Sequence, residues 1–451
     1  MAAPTRGQAP TNPMRIVVDL FIDARWIVPI APAGVLDNHT LVVDRGRIVA
    51  VAPTASAERE YQPRERVALA RHALVPGLVN AHTHAAMALL RGIADDVPLK
   101  PWLEQHIWPR EARFVSPEFV HDGTLIAAAE MLKGGVTCCA DQYFFPDAAA
   151  RAYRRTGIRA FIGLPVLDFP TPYAADADAY LREGLAVRDA WKHEAKLSFA
   201  FAPHAPYTVS DASWEKIIVY ARQLDLPVQT HLQETRDELE ASLVSGSVTP
   251  LARLERLGVT GPGFIAVHAV HLADSDVELL AAQSCQVVHC PASNLKLASG
   301  IAPIARLRAR GINVALGTDG AASNNRLDVL GEARLAALLA KVATGDAAAL
   351  PAASVLRMAT LDGAKALGLD ADIGSLEAGK QADAVAVDLG AFEHAPCYDP
   401  VSHLVHVTGR DQVSDVWVAG ERVVTQGAFA SLDAAELAAL ARTWQDRLAR
   451  S

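Results

Sequence analysis

The stretch Val75-Pro76-Gly77-Leu78-Val79-Asn80-Ala81-His82-Thr83-His84 decides how the rest of the chain is read. A short apolar run ends in two histidines separated by one residue. On a β-strand the side chains at i and i+2 leave the same face, so His82 and His84 converge on one point. Two imidazoles aimed together at a strand end are half of a ligand set for a zinc-type ion. A bare His-x-His also arises by chance, so a metal site here requires further ligands from other strands.

From residue 74 onward, apolar strands alternate with amphipathic or Ala-rich helical stretches, the pattern of parallel strands with helical crossovers. Eight candidate strands fall at 74–80, 136–142, 159–168, 197–203, 227–232, 264–270, 286–290 and 313–318. Helical segments such as 117–134, 211–224, 272–284 and 301–311 lie between them. Eight strand–helix units predict a TIM (β/α)8 barrel, with a doubly wound open sheet as the alternative. The flanks have a different texture. Residues 15–30 and 39–52 read as β, the latter a hairpin turning at Asp44-Arg45-Gly46-Arg47, and the first 70 residues show no helical periodicity. β character returns over 369–430, where Asp415–Val424 repeats the hairpin pattern. The expected organisation is a leader at 1–14, expected to be disordered, and one small β domain built from both chain ends, 15–73 and 371–430. That domain flanks a barrel at 74–370, and a terminal helix occupies 431–451.

Barrel enzymes draw their sites from the C-terminal ends of the strands. Those ends carry His82 and His84, then His204, His231 with Glu234 three residues on, His268, and Asp319 in Gly317-Thr318-Asp319-Gly320. His82, His84, His231 and Asp319 form a nitrogen/oxygen set suited to one zinc or iron(II) ion with a position open for water. Asp319 can also take a proton from that water and His268 can hold the hydroxide formed. Glu234 is placed to move a proton onto a substrate nitrogen. A two-metal version would need a bridging group, typically lysine, at the end of the fourth strand. Lys196 stands at that strand's start and His204 at its end, so one metal is expected.

Composition narrows the class. A net charge of −9 without a Lys/Arg block argues against a nucleic-acid surface, and no apolar run approaches the ~20 residues of a membrane span. The N-terminus lacks the apolar core of a secretory signal. The five cysteines, with no C-x-x-C spacing, suit reduced thiols in a cytoplasm. Ser323, Asn324 and Asn325 read as helix N-caps; Asn294 and Lys296 read as pocket-shaping residues. His271, His289, His403 and His406 read as hydrogen-bonded core histidines. The Ala/Leu-rich helices at 333–341 and 434–449 can pack within the chain or in a homo-oligomer.

The runs PGLVNAHTH, HLQE, VHAVHL, PASNLKL and GTDGAASNN, in this order, resemble the amidohydrolase superfamily. Within it the match is to the methylthioadenosine/S-adenosylhomocysteine deaminase branch, near the chlorohydrolases and guanine deaminases. The resemblance spans about residues 15–430 and implies a distorted TIM barrel with a β-sandwich domain from both chain ends. It implies hydrolytic deamination at carbon 6 of the adenine of S-adenosylhomocysteine or methylthioadenosine, or of adenosine, a small-molecule purine nucleoside in each case. By motif position His82, His84, His231 and Asp319 correspond to the metal ligands, Glu234 to the ring-protonating residue and His268 to the histidine assisting the hydroxide. Glu111 corresponds to the glutamate binding the ribose hydroxyls, Trp102 to an aromatic wall, and His204 to a substrate-contacting histidine. One departure is plain: some relatives carry an arginine near the end of the third strand, and Gly163–Pro170 here has none. A triazine- or guanine-type hydrolase on the same metal site is the alternative, and a non-enzymatic scaffold the remote one.

Overall fold

A computed structural model of the protein describes residues 15–450; the expected leader lies outside them. The chain opens with β1 (Ile16–Ile27), β2 (Leu36–Asp44), β3 (Arg47–Pro53) and β4 (Tyr61–Pro76). Eight further strands follow: β5 (Leu78–Thr83), β6 (Val136–Gln142), β7 (Arg159–Val166), β8 (Leu197–Pro203), β9 (Val228–Leu232), β10 (Phe264–His268), β11 (Gln286–His289) and β12 (Asn313–Leu316). The last are β13 (Ala384–Asp388), β14 (Val413–Val418), β15 (Glu421–Thr425) and β16 (Ala428–Phe429).

β5 to β12 lie side by side in chain order, every neighbour parallel. Helices such as Pro117–Lys133, Pro146–Thr156 and Asp211–Leu224 make the crossovers. The barrel expected from the sequence is therefore present, and its distortion is visible at two seams. β8 and β9 share a single paired position, Phe201 with Val228. β12 meets β5 at the mouth, where Thr318 and Asp319 both donate backbone N–H groups to the His82 carbonyl at 3.1 and 3.0 Å. Gly317 makes this closure possible: a Cβ there would sit 3.0 Å from the His82 nitrogen. At the opposite end the gap is filled by chain, with Val79 N–H bonded to Ala359 O. The barrel thus closes through residues that also carry the candidate chemistry.

The second sheet runs β16-β15-β14-β13-β4-β1-β2-β3, so both chain ends build it. It encloses its own apolar core, including Ile22, Leu41, Ile48, Leu74 and Trp417. Two expectations need correction here. Residues 54–60 form a helix inside the stretch read as all-β; it is only seven residues long, two turns, too short to show periodicity. The stretch 74–80 is not one strand. Leu74, Val75 and Pro76 end β4 and pair with β13 in the second sheet, and the barrel strand starts at Leu78. The switch is Gly77, where a Cβ would lie 1.9 Å from Thr137 Oγ1. Only glycine lets the chain pass from one sheet to the other at that spot.

Candidate active site

The strand ends bring the sequence-predicted residues together. His82 lies within β5 and is fully buried; His84 follows its end. His231 is the fourth residue of β9, His268 the last of β10, and Asp319 lies three residues past β12. Among the described residues, two groups could hold a metal ion: His82, His231 and His268, and His82, His84 and Asp319, with the donor atoms of each group within 4.8 Å of one another. His82 Nε2 is 3.2 Å from His231 Nε2 and 3.6 Å from Asp319 Oδ1; His84 Nε2 is 3.2 Å from the same oxygen.

The hydrogen bonds on the far side of each ring fix which nitrogen is free. His84 Nδ1 faces the Gln142 carbonyl at 2.6 Å and His231 Nδ1 the His204 carbonyl at 2.6 Å. A carbonyl can only accept, so both Nδ1 atoms carry a proton and both Nε2 atoms point inward. His82 Nδ1 meets Gln229 Oε1 at 3.2 Å, and Gln229 spends its amide N–H on the Ala81 carbonyl. His268 Nδ1 meets Asn294 Oδ1 at 2.9 Å. Neutral imidazoles oriented by a second layer of acceptors are the form a metal ion takes as ligands. Asp319 Oδ2 accepts from Ser293 Oγ (2.6 Å) and Ser323 Oγ (2.8 Å), which leaves Oδ1 toward the histidines. The donor set therefore fits a zinc-type ion.

Electrostatics agree with that geometry. Burial lowers His82 and His204 to about 4 and pushes His231 and His268 down as well. His84 is the exception: burial pulls it down, but the Asp319 carboxylate carries it up to about 9. Burial pushes Asp319 up, yet His82 and His84 hold it well below the usual carboxylate range. Burial, then the Asp319 charge, raises Glu234 to about 8. Its Oε2 is 3.7 Å from His268 Nε2 and its Oε1 accepts from Ser299 Oγ at 3.2 Å. Backbone strain collects here too, with Gln233, His268, Ala269 and Asp319 at φ 47, 72, 48 and 60°.

A cavity of about 240 Å³ opens over this cluster. His84, His231, His268, Asp319, Glu234 and His204 line its floor side; Trp102 and Glu111 line the same cavity, and His82 lies beneath it. Trp102 begins a helical turn, Trp102–Ile107, and its indole Nε1 is buried without a hydrogen-bond partner. Glu111, on the helix Trp108–Phe114, accepts from Tyr143 Oη at 2.6 Å. Burial raises the Glu111 pKa, opposed by that hydrogen bond. The remaining walls are apolar, among them Leu103, Trp108, Leu167 and Phe169. The third-strand region without arginine contributes Leu167, Phe169 and Pro170 to this wall.

Some assignments shift. Ser323 does not cap a helix; it lies inside Ala321–Asn324 and braces Asp319, while Asn324 Nδ2 donates to the Thr318 carbonyl and to Glu332. Asn325 ends that turn at φ 71°. Lys296 is tied to Asp95 and the Ala322 carbonyl. Gln142, Gln229, Ser293 and Tyr143 are contributors the sequence did not reveal. His271 spends Nε2 on the Ser299 carbonyl. Lys196 pairs with Glu421 at the far end of β8, away from the cluster.

The comparisons with known proteins fit this arrangement. The family model described as "Amidohydrolase family" matches residues 73–423. A 5-methylthioadenosine/S-adenosylhomocysteine deaminase from Teredinibacter turnerae is 47% identical over 432 residues, 96% of this chain and 98% of that protein. A protein of the same name from Saccharophagus degradans is 43% identical, covering 95% and 97%. Among solved structures, an adenosine deaminase from Xanthomonas campestris with bound zinc is 49% identical, with a TM-score of 0.96 over 97% of this chain and 100% of that one. Atrazine chlorohydrolase TrzN from Arthrobacter aurescens, complexed with zinc, is 25% identical with a TM-score of 0.88 over 94% and 99%. With a closed set of strand-end histidines in a distorted barrel, and a family model spanning most of its length, the chain belongs to the amidohydrolase family.

Proposed function

We propose that this protein is a metal-dependent hydrolase that removes the 6-amino group of adenine nucleosides, with 5′-methylthioadenosine, S-adenosylhomocysteine and adenosine as its substrates and ammonia as co-product. The observation that carries the reading is one cavity with a metal-competent cluster on its floor and, on the same lining, a buried carboxylate and an unspent indole donor. The names of the full-length relatives support it.

His82, His84, His231 and Asp319 would hold one divalent ion, zinc or iron(II), whose chemistry is to bring the pKa of water near neutrality. The chain's own residues do the rest. Glu234, protonated below about 8, donates to a ring nitrogen of the purine as the carbon beside it becomes tetrahedral. His268 Nε2 and Asp319 Oδ1, the oxygen turned toward the histidines, flank the attacking oxygen, and Asp319 takes its proton. That proton then leaves with the departing amine, and the remaining hydroxyl proton passes to Glu234 as the carbon 6 carbonyl forms. Glu111 accepts hydrogen bonds from the sugar hydroxyls and Trp102 Nε1 donates to the base. Leu103, Leu167 and Phe169 exclude water around the purine and the 5′ substituent.

Zinc-loaded protein mixed with each of the three nucleosides should replace the adenine absorbance band with that of hypoxanthine and release one ammonia per turnover. Turnover of guanine or a chlorotriazine, with all three adenine nucleosides untouched, would move the activity to the other class. In that case Glu111→Ala would leave turnover unchanged.

A further inference from the structure

We propose that Tyr143 is a positioning residue that acts through Glu111. Its hydroxyl aims the Glu111 carboxylate at the sugar diol, and the end of β6 thereby sets the spacing between the sugar-binding carboxylate and the metal-binding floor. This deepens the proposed function and rests on it. Tyr143 Oη donates to Glu111 Oε1 at 2.6 Å, with both side chains buried and both lining the cavity. Among the described residues the Glu111 carboxylate accepts from no other protein group, so Tyr143 is its one hydrogen-bonded anchor. A glutamate on a short helix has three rotatable bonds, and an unguided carboxylate would sample several directions within the cavity.

Tyr143 is also the residue after Gln142, and the Gln142 carbonyl orients His84 by accepting from Nδ1 at 2.6 Å. Gln142 is itself pinned, its amide Nε2 donating to the Ala202 carbonyl at 3.2 Å. Two adjacent residues at one strand end therefore hold two of the groups that line the cavity, His84 and Glu111. A nucleoside has a fixed separation between purine carbon 6 and the ribose diol, so a rigid two-residue connection is the shortest way to match it. The hydrogen bond also opposes the burial that pushes the Glu111 carboxyl toward its neutral form.

The test compares wild type, Tyr143→Phe, Glu111→Gln and the double variant on adenosine and 2′-deoxyadenosine, with zinc content and melting temperature recorded for each. Tyr143→Phe is expected to lower kcat/KM on adenosine about 10-fold or more, mainly through KM, and to lower it far less on 2′-deoxyadenosine. In the Glu111→Gln background it should add almost nothing. Equal losses on the two nucleosides, a loss confined to kcat, or additive losses in the double variant would overturn the role of Tyr143. A wild-type protein that deaminates neither nucleoside would instead overturn the proposed function, and this inference with it.

Discussion

Both ends of the barrel bury charge, and they treat it in opposite ways. At the N-terminal end the buried carboxylates of Asp362 and Asp383 face cations. Asp362 takes Arg357 Nε on one oxygen and Arg308 Nη1 on the other, both at 2.8 Å. Arg159, the first residue of β7, pairs with Asp383 at 3.3 Å and so ties the barrel to the second sheet. At the mouth, Asp319, Glu234 and Glu111 share a cavity with four histidines, and no lysine or arginine lines it. The imidazole Nε2 atoms of His82 and His84 converge on the single carboxylate of Asp319, and four non-glycine residues there hold left-handed backbone. Paired charge at the base makes scaffold; converging acceptors at the mouth call for a cation from outside.

The largest effects should come from the mouth. Replacing His231 or Asp319 by alanine, or stripping metal with a chelator, should cut kcat by at least about 10³-fold and abolish stoichiometric zinc binding; steady-state rates with elemental analysis check this. The cost to the fold should be smaller for His231→Ala than for Asp319→Ala, because Asp319 is paired with His84 at 3.2 Å and accepts from Ser293 and Ser323.

Glu234→Gln is next. It should lower kcat by about 10²- to 10⁴-fold while zinc content stays that of wild type. Its pH profile carries the sign. Burial raises Glu234 to about 8, so its donor form predominates below that pH and is lost above it. Wild-type kcat should fall as pH rises through about 8, and that limb should be missing from the residual activity of Glu234→Gln. A limb that persists would assign the ionisation to another group.

Asp362→Ala inverts the pattern. It leaves Arg308 and Arg357 without their shared partner in a buried place. The arginines are partly exposed, so the loss should be about 2 kcal/mol rather than the full cost of breaking a buried pair. Denaturant titration reads that loss, and kcat of the folded fraction should stay within about 2-fold of wild type.

Legibility in the sequence followed the same division. His82, His84, His231, His268 and Asp319 could be read because residue type and strand-end position single them out. The layer behind them was hidden because much of it is backbone: the carbonyls of Gln142 and His204 orient His84 and His231, and a carbonyl has no residue signature. Ser293 and Ser323 brace Asp319 from two different loops, a proximity no local spacing encodes. The alternation of strands and helices gave the barrel, but 74–80 read as one strand running through Pro76-Gly77. That dipeptide is the crossing between two sheets, visible only once the Thr137 side chain is seen against Gly77. The Thr54–Glu60 helix was too short to announce itself against β-branched neighbours.

The contrast between the two ends is tested most directly by titrating metal-free protein with zinc while following adenosine deamination. Activity should rise linearly and break at one equivalent per chain, with His231→Ala flat throughout. A break at two equivalents, or full turnover in the chelated protein, would contradict a single-metal site built from the converging histidines.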